Sequence, residues 1–294
     1  MKGWIIAALC GMLAGVSAAD SMDKGDVVAI IFTREGTANG TAKGSVLGQT
    51  NAVVNAVCAE ARFAVPGNLV LSNTAGETVD VRVTSWVNQG ATATRGTVAR
   101  RLRPAQGRSY QTVFGQDTVT GSTYGGALNA HLNGQSIALT LGGLTPGQEY
   151  ELYMLTGRGN TTWSVPAADK AITYSLSGAD HLKSELIGAS NTRTALQDNR
   201  LLSFERNTDD RVASSNGAWS LVKWSFTADE TGTVTISTDA DGNVNALALK
   251  ATGDDPAAVR QKFIVLGSAG AVCILLMLAL ILASRRHQKE AKRA

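Results

Sequence analysis

Hydrophobic and polar residues alternate along several short runs of this chain, and strict alternation marks a strand with one face buried and one face wet. The clearest run is Thr78–Val87, with Val79, Val81, Val83 and Val87 on one face and Thr78, Asp80, Arg82, Thr84 and Trp86 on the other. Ser136–Leu141 alternates in the same way, with Ile137, Leu139 and Leu141 inward. Asp26–Phe32, Asn68–Ser72, Glu149–Leu155, Ala171–Leu176, Trp219–Phe226, Thr231–Ser237 and Asn243–Lys250 are further runs of strand length. Asn51–Val65 stays open between helix and strand, because its alanines suit the first and its valines the second.

Turn chemistry separates these runs. Pro66-Gly67 and Gly142-Gly143-Leu144-Thr145-Pro146-Gly147 both carry a Pro-Gly pair, a strong chain-reversal pattern. The Gly/Thr/Ala-rich stretch through Thr50 reads as a loop, and Gly178–Gly217 as a long polar excursion. Gly90–Ser109 reads as a solvated basic loop carrying Arg95, Arg100, Arg101, Arg103 and Arg108. Many short strands with little helix and no βαβ rhythm predict a mainly β fold, an antiparallel jelly-roll-like sandwich.

One run breaks the pattern. Phe263–Ala283 passes twenty-one residues without a charge, enough for a helix of roughly 31 Å, about the thickness of a bilayer's hydrocarbon core. Arg285, Arg286, Lys289, Lys292 and Arg293 follow it at once, a positive-inside flank. At the other end, Lys2, the apolar Trp4–Val16 and the small residues Ser17-Ala18-Ala19 read as an export signal with Asp20 as the mature start.

The expected organisation is therefore an export signal at 1–19, an exported β-sandwich at 20–250 and a juxtamembrane linker at 251–262. A single transmembrane helix at 263–283 and a basic cytoplasmic tail at 284–294 complete it. Such a chain would be a single-pass type I protein of the cell envelope, with its N-terminal domain outside. Gly267 and Ala271 form a small-xxx-small pair through which two copies of that helix could pack as a weak homodimer.

The formal charge of +3 is dominated by the two ends. Without Lys2, the five basic tail residues and Glu290, the 27 basic and 24 acidic residues become 21 and 23, a net of −2. No basic patch stands in the exported part, which argues against a nucleic-acid partner. The cysteines divide likewise: Cys10 belongs to the leader and Cys273 to the apolar run, so Cys58 alone remains and no internal disulfide is expected.

The residues give little support to catalysis. His131 and His181 stand far apart, and Gly-x-Ser-x-Gly, HExxH and P-loop patterns are missing from the exported part. Asp239-Ala240-Asp241-Gly242-Asn243 is oxygen-rich, but Ser237 and Ala248 stand where further calcium ligands would be needed, so it reads as a hairpin turn. No catalytic residue, metal or cofactor is expected. What remains is a binding role: Trp86 and Trp163 to stack on sugar faces, with Arg158 and Asn160 donating nearby.

The order of several features resembles exported β-sandwich proteins of the PEP-CTERM class, from Verrucomicrobia-like bacteria. The residues that carry it are Leu144-Thr145-Pro146-Gly147-Gln148-Glu149-Tyr150, Gly157-Arg158-Gly159-Asn160, the Trp-containing Trp219–Phe226 and the closing Asn245-Ala246-Leu247. The chain departs from that class in lacking Val-Pro-Glu-Pro before the apolar run. The resemblance implies an envelope-associated surface protein. The expectation is a non-enzymatic, membrane-anchored envelope protein whose sandwich binds glycan or another surface component. The alternatives are a purely structural or adhesive module, and a cryptic glycan hydrolase whose two acids could lie anywhere in the chain.

Overall fold

The computed structural model describes residues 20–33, 39–58, 69–88, 109–115, 132–134, 137–158, 171–204, 218–240, 242–256 and 259. The first strands are β1 (Val27–Thr33), β2 (Gly40–Val46), β3 (Gln49–Cys58), β4 (Leu69–Ser72) and β5 (Thr78–Asn88). After a 3-10 turn at Ser109–Thr112 come β6 (Leu132–Gly134), β7 (Ile137–Gly142), β8 (Glu149–Arg158) and β9 (Ile172–Ser177). Then follow β10 (Ala179–Ala189), β11 (Ala195–Gln197), β12 (Arg200–Ser203) and β13 (Ala218–Ala228). The last are β14 (Thr233–Thr238), β15 (Gly242–Val244) and β16 (Ala246–Ala251).

Two seven-stranded sheets result, ordered β10-β13-β8-β16-β1-β3-β2 and β11-β12-β9-β14-β7-β5-β4, with a separate small β15-β6 pair. Pairing is antiparallel except between β1 and β3. Within these sheets β1-β16-β8-β13 faces β7-β14-β9-β12, the strand order of a jelly roll, and β2 to β5 extend both sheets from between its first two strands. The main core lies between the sheets, filled by side chains such as Ile30, Phe32, Leu139, Leu141, Leu152, Met154, Trp224 and Ile236.

The sheets are also joined along both sides. On one side the Asn55 side chain, on β3, donates to Ser72 O at 2.8 Å and accepts from Ser72 N–H at 2.9 Å. It also donates to Ala29 O at 2.9 Å. The carboxamide thus pairs with β4 as a neighbouring strand would. Next to it, Thr74 N–H donates to Val27 O and Thr74 O accepts from Val53 N–H, both at 2.8 Å. On the other side the β11–β12 turn brings Asn199 against β10. Its side chain accepts from Ser184 N–H at 3.1 Å and donates to Leu182 O at 2.9 Å. Trp224 Nε1–H donates to the Asn199 carbonyl at 2.9 Å and ties that turn to the core.

The tight reversals at Leu47-Gly48, Asn73–Glu77, Gly143–Gln148, Gly178 and Asp229–Gly232 all lie at one end of the sandwich. There the buried Gln148 donates to both Met22 O at 2.9 Å and Gly253 O at 3.0 Å, clasping the segments before β1 and after β16. Gly143 has φ +79°, and a Cβ there would stand 1.9 Å from Asp80 O, so the turn accepts no other residue. Of the longer connections, 34–39, 89–131, 159–171 and 204–217 leave and re-enter the sheets at the opposite end, the loop end, while 59–68 leaves there and re-enters at Leu69, level with Val83 and Leu141.

Several expectations need correction. The predicted transmembrane helix at Phe263–Ala283 is not supported. No helix among the described residues is long and apolar enough to cross a membrane, and Phe263–Ala283 lies outside them, as do the export signal and the basic tail. Among the described residues, helical backbone is confined to Ser109–Thr112 and to Pro256 and Val259. Length and hydropathy measure only a segment's capacity to span a bilayer. The stretch through Thr50 is not all loop, since it holds β2, and Asn51–Val65 begins within strand β3. Gly178–Gly217 is no excursion: it supplies β10, β11 and β12.

Asn55→Ala should lower unfolding stability by roughly 2–4 kcal/mol in denaturant titration, because it strands three backbone groups in the interior. An unchanged midpoint would show that β4 needs no such partner.

Candidate functional site

Row by row along the first sheet, the inward side chains change character. From the turn end the rows read Phe226-Tyr150-Ala251, Trp224-Leu152-Leu249 and Val222-Met154-Leu247. The next row, towards the loop end, is Ser220-Thr156. Asn245 stands beside it, its N–H donating to Leu155 O at 2.9 Å.

The second sheet matches this change. The Ser203 and Ser220 hydroxyls are 2.9 Å apart across the gap, and those of Thr156 and Tyr174 are 2.8 Å apart. Tyr174 Oη accepts from Asn243 N–H at 2.8 Å and donates to Asn243 O at 3.0 Å. Since a phenol has one proton, Thr156 is then the donor to Tyr174. A Cβ at Gly242 would approach Tyr174 Oη to 3.0 Å, so glycine lets β15 lie this close. Ser203, Ser220, Thr156, Tyr174, Asn243 and Asn245 are each no more than 1 % exposed.

A polar group buried without partners costs free energy, and the hydrogen bonds among Ser203, Ser220, Thr156, Tyr174 and the Asn243 backbone offset that cost here. This row closes the core at the end where β1, β3, β5 and β8 finish and β9 and β13 begin. Its alternation could have been read in the sequence: Ser220 precedes Val222 by two, and Thr156 follows Met154 by two, in the inward phase of apolar strands. The sequence reading placed its candidates elsewhere and missed the row.

Of the four residues expected to bind, Arg158 and Trp86 have described backbone positions. β8 runs two residues past Thr156 to Arg158, which pairs with Ala218, at the rim of the polar row. Trp86 is on the other sheet, near the loop end of β5, paired with Leu139. A register shift lies between Val83 and Ser85. Val83 pairs with Leu141 and Trp86 with Leu139, two leucines on the core side of β7. Asn160, Trp163 and the arginines of the 95–108 loop lie outside the described residues.

The first sheet has a second apolar cluster on its outward face, where Val27, Ala29, Ile31, Leu221, Ala246 and Ala248 group with Tyr110, Val113 and Phe114. Tyr110 and Trp219 meet edge to face with ring centroids 4.9 Å apart. Nearer the turn end this face turns charged. Lys223 Nζ lies 2.6 Å from Glu185 and 3.6 Å from Glu151, and Tyr153 donates to Glu151 at 2.9 Å. The Glu185 hydrogen bond holds the Lys223 ammonium above its ordinary pKa. Burial, then the Glu151 contact, raises Tyr153. Among the described residues no three His, Cys, Asp or Glu side chains group as metal ligands.

Compared with known proteins, the chain matches no family model, no curated protein and no solved structure.

Two outcomes follow from this geometry. Tyr174→Phe removes a hydroxyl with three partners and should cost about 1–3 kcal/mol, read as a lower denaturation midpoint. Tyr153 and Lys223 both hold their protons to higher pH folded than unfolded, from ordinary values of 10.0 and 10.5. The unfolded chain therefore releases protons first, so their contribution is complete below about pH 10 and is lost as pH rises further. Thermal melts from pH 8 to 12 should fall less steeply in Tyr153→Phe than in the parent chain.

Proposed function

We propose that this chain is an exported, non-enzymatic envelope protein whose sandwich binds glycan at its loop end. The observation that carries the reading is the segregation of strand ends: tight reversals hold one end, while the strands that open and close the connections 34–39, 89–131, 159–171 and 204–217 end at the other, beside a buried polar row. Loops displayed from one end of a rigid sandwich are a common way to build a binding surface, because the scaffold fixes their bases while their sequences vary. Arg158 is at the rim of that end, and the connection it opens, 159–171, contains Asn160 and Trp163. A guanidinium, a carboxamide and an indole on one connection suit a sugar, whose hydroxyls accept and donate hydrogen bonds and whose C–H face stacks on aromatic rings. Trp86 lies towards the same end on the second sheet.

The reading is tested on a glycan array with the full chain. Binding should be lost, or weakened at least tenfold, in Trp163→Ala and Arg158→Ala, and less affected by Trp86→Ala. Absence of binding to any glycan would favour a structural or adhesive module. Release of reducing sugar by the parent chain would instead favour a hydrolase.

A further inference from the structure

The edge of the first sheet is β10, an eleven-residue strand bordered by β13 on one side. Unpaired N–H and C=O groups along an edge strand are a template for pairing with another chain. On β10 the outward-directed groups at Leu182 and Ser184 are taken by one side chain, that of Asn199. Ser184 Oγ also donates to Asn199 Oδ1, at 3.2 Å. Register shifts on either side, between Asp180 and Lys183 and between Leu186 and Gly188, leave the regular part of the strand around Ser184.

That part is self-complementary. Set a second copy of β10 antiparallel to the first with Ser184 opposite Ser184. Lys183 then falls opposite Glu185 and Leu182 opposite Leu186, and each pair occurs twice by symmetry. Lys183 and Glu185 share the outward face and are exposed, while Leu182 and Leu186 both pack against the main core. Sliding the register by two either way sets Lys183 against Lys183 or Glu185 against Glu185, which opposes pairing. Of these three registers, the one centred on Ser184 satisfies charge and core together. Ser184 N–H, directed away from β13 towards Asn199, would be the central donor of the pair.

We infer that β10 is a self-association edge, through which two copies of this chain join their first sheets, and that the Asn199 carboxamide is the group that holds it closed. The partner is a second copy because the charge pattern is complementary to itself. Asn199 can move aside without unfolding the sandwich, because the Trp224 indole is held by its backbone carbonyl and not by its side chain.

The test uses the full chain and sedimentation velocity. Asn199 has φ +60°, which glycine adopts freely, so Asn199→Gly removes the carboxamide while preserving the turn. Asn199→Asp is a second variant, with the size kept but the donor to Leu182 lost. Both should shift the chain from one mass towards two at concentrations where the parent is a single copy. Adding Lys183→Glu to Asn199→Gly should return it to one copy, and adding Glu185→Lys as well should restore the pair. Asn199 variants that remain single at every concentration would overturn the inference. So would an association that ignores the charge reversals, because it would then run through another surface.

Discussion

Two stacked sheets leave unpaired strand edges along both sides, and the closure of those edges is the constraint on which this fold depends. Backbone groups that are neither bonded nor wet are costly, and edges that are wet but bare invite other chains. Here both sides use an asparagine. A carboxamide carries one acceptor and a donor in nearly the spacing of a peptide group, so it can stand in for a strand where no strand fits. Asn55 does so inside the sandwich, binding β4 of the second sheet from β3 of the first. Asn199 does so at the surface, where its turn folds from the second sheet onto β10 of the first. The two differ in burial. Asn55 is 5 % exposed and joined to three backbone groups, whereas the Asn199 contacts are open to solvent. The first is therefore a permanent stitch and the second a replaceable one.

With the sides closed, differences between the two ends become meaningful. At the turn end, Gln148 joins the segments before β1 and after β16, Tyr150 donates to it, and tight turns leave little exposed connection. At the loop end the core does not simply stop. It changes over one row from Met154 and Val222 to Thr156 and Ser220, answered by Tyr174 and Ser203. Hydrogen bonds are directional, so this row fixes the strand ends more narrowly than apolar packing would. The bases of the longer connections are held accordingly, whatever their sequences.

How much of this was legible in the sequence depended on what each strand buries. β5, β7 and β14 bury one face and expose the other, so their alternation could be read directly. β2 and β10 lie at sheet edges, and β10 has no fully buried residue in its pattern, so periodicity had nothing to record. Their place is set by backbone pairing, to which side-chain pattern is nearly blind. The candidate site suffered from the same limit. In β5 a register shift separates Val83 from Ser85 and Trp86, and no residue type announces it. The polar row was visible in principle, as hydroxyls in an inward phase, but each hydroxyl alone reads as an ordinary strand residue.

The same reasoning explains why the two sheets look so different in sequence. The first is buried on both faces over much of its centre, with the main core inside and the Tyr110–Phe114 cluster outside. Its middle strands are accordingly continuous in hydrophobicity: Val27, Val28, Ala29, Ile30 and Ile31 are all buried, and so are Ala246 through Leu249. The second sheet turns hydroxyls outward. Thr140 and Thr235 pair at 2.9 Å, as do Ser175 and Ser237, on neighbouring strands of one face. Such a face is satisfied by its own cross-strand bonds and by water, and offers little apolar area to a partner. Among the described residues, the outward face of the second sheet is therefore a poorer apolar surface than that of the first. The chemistry of the faces, more than the strand order, is what distinguishes the two sheets.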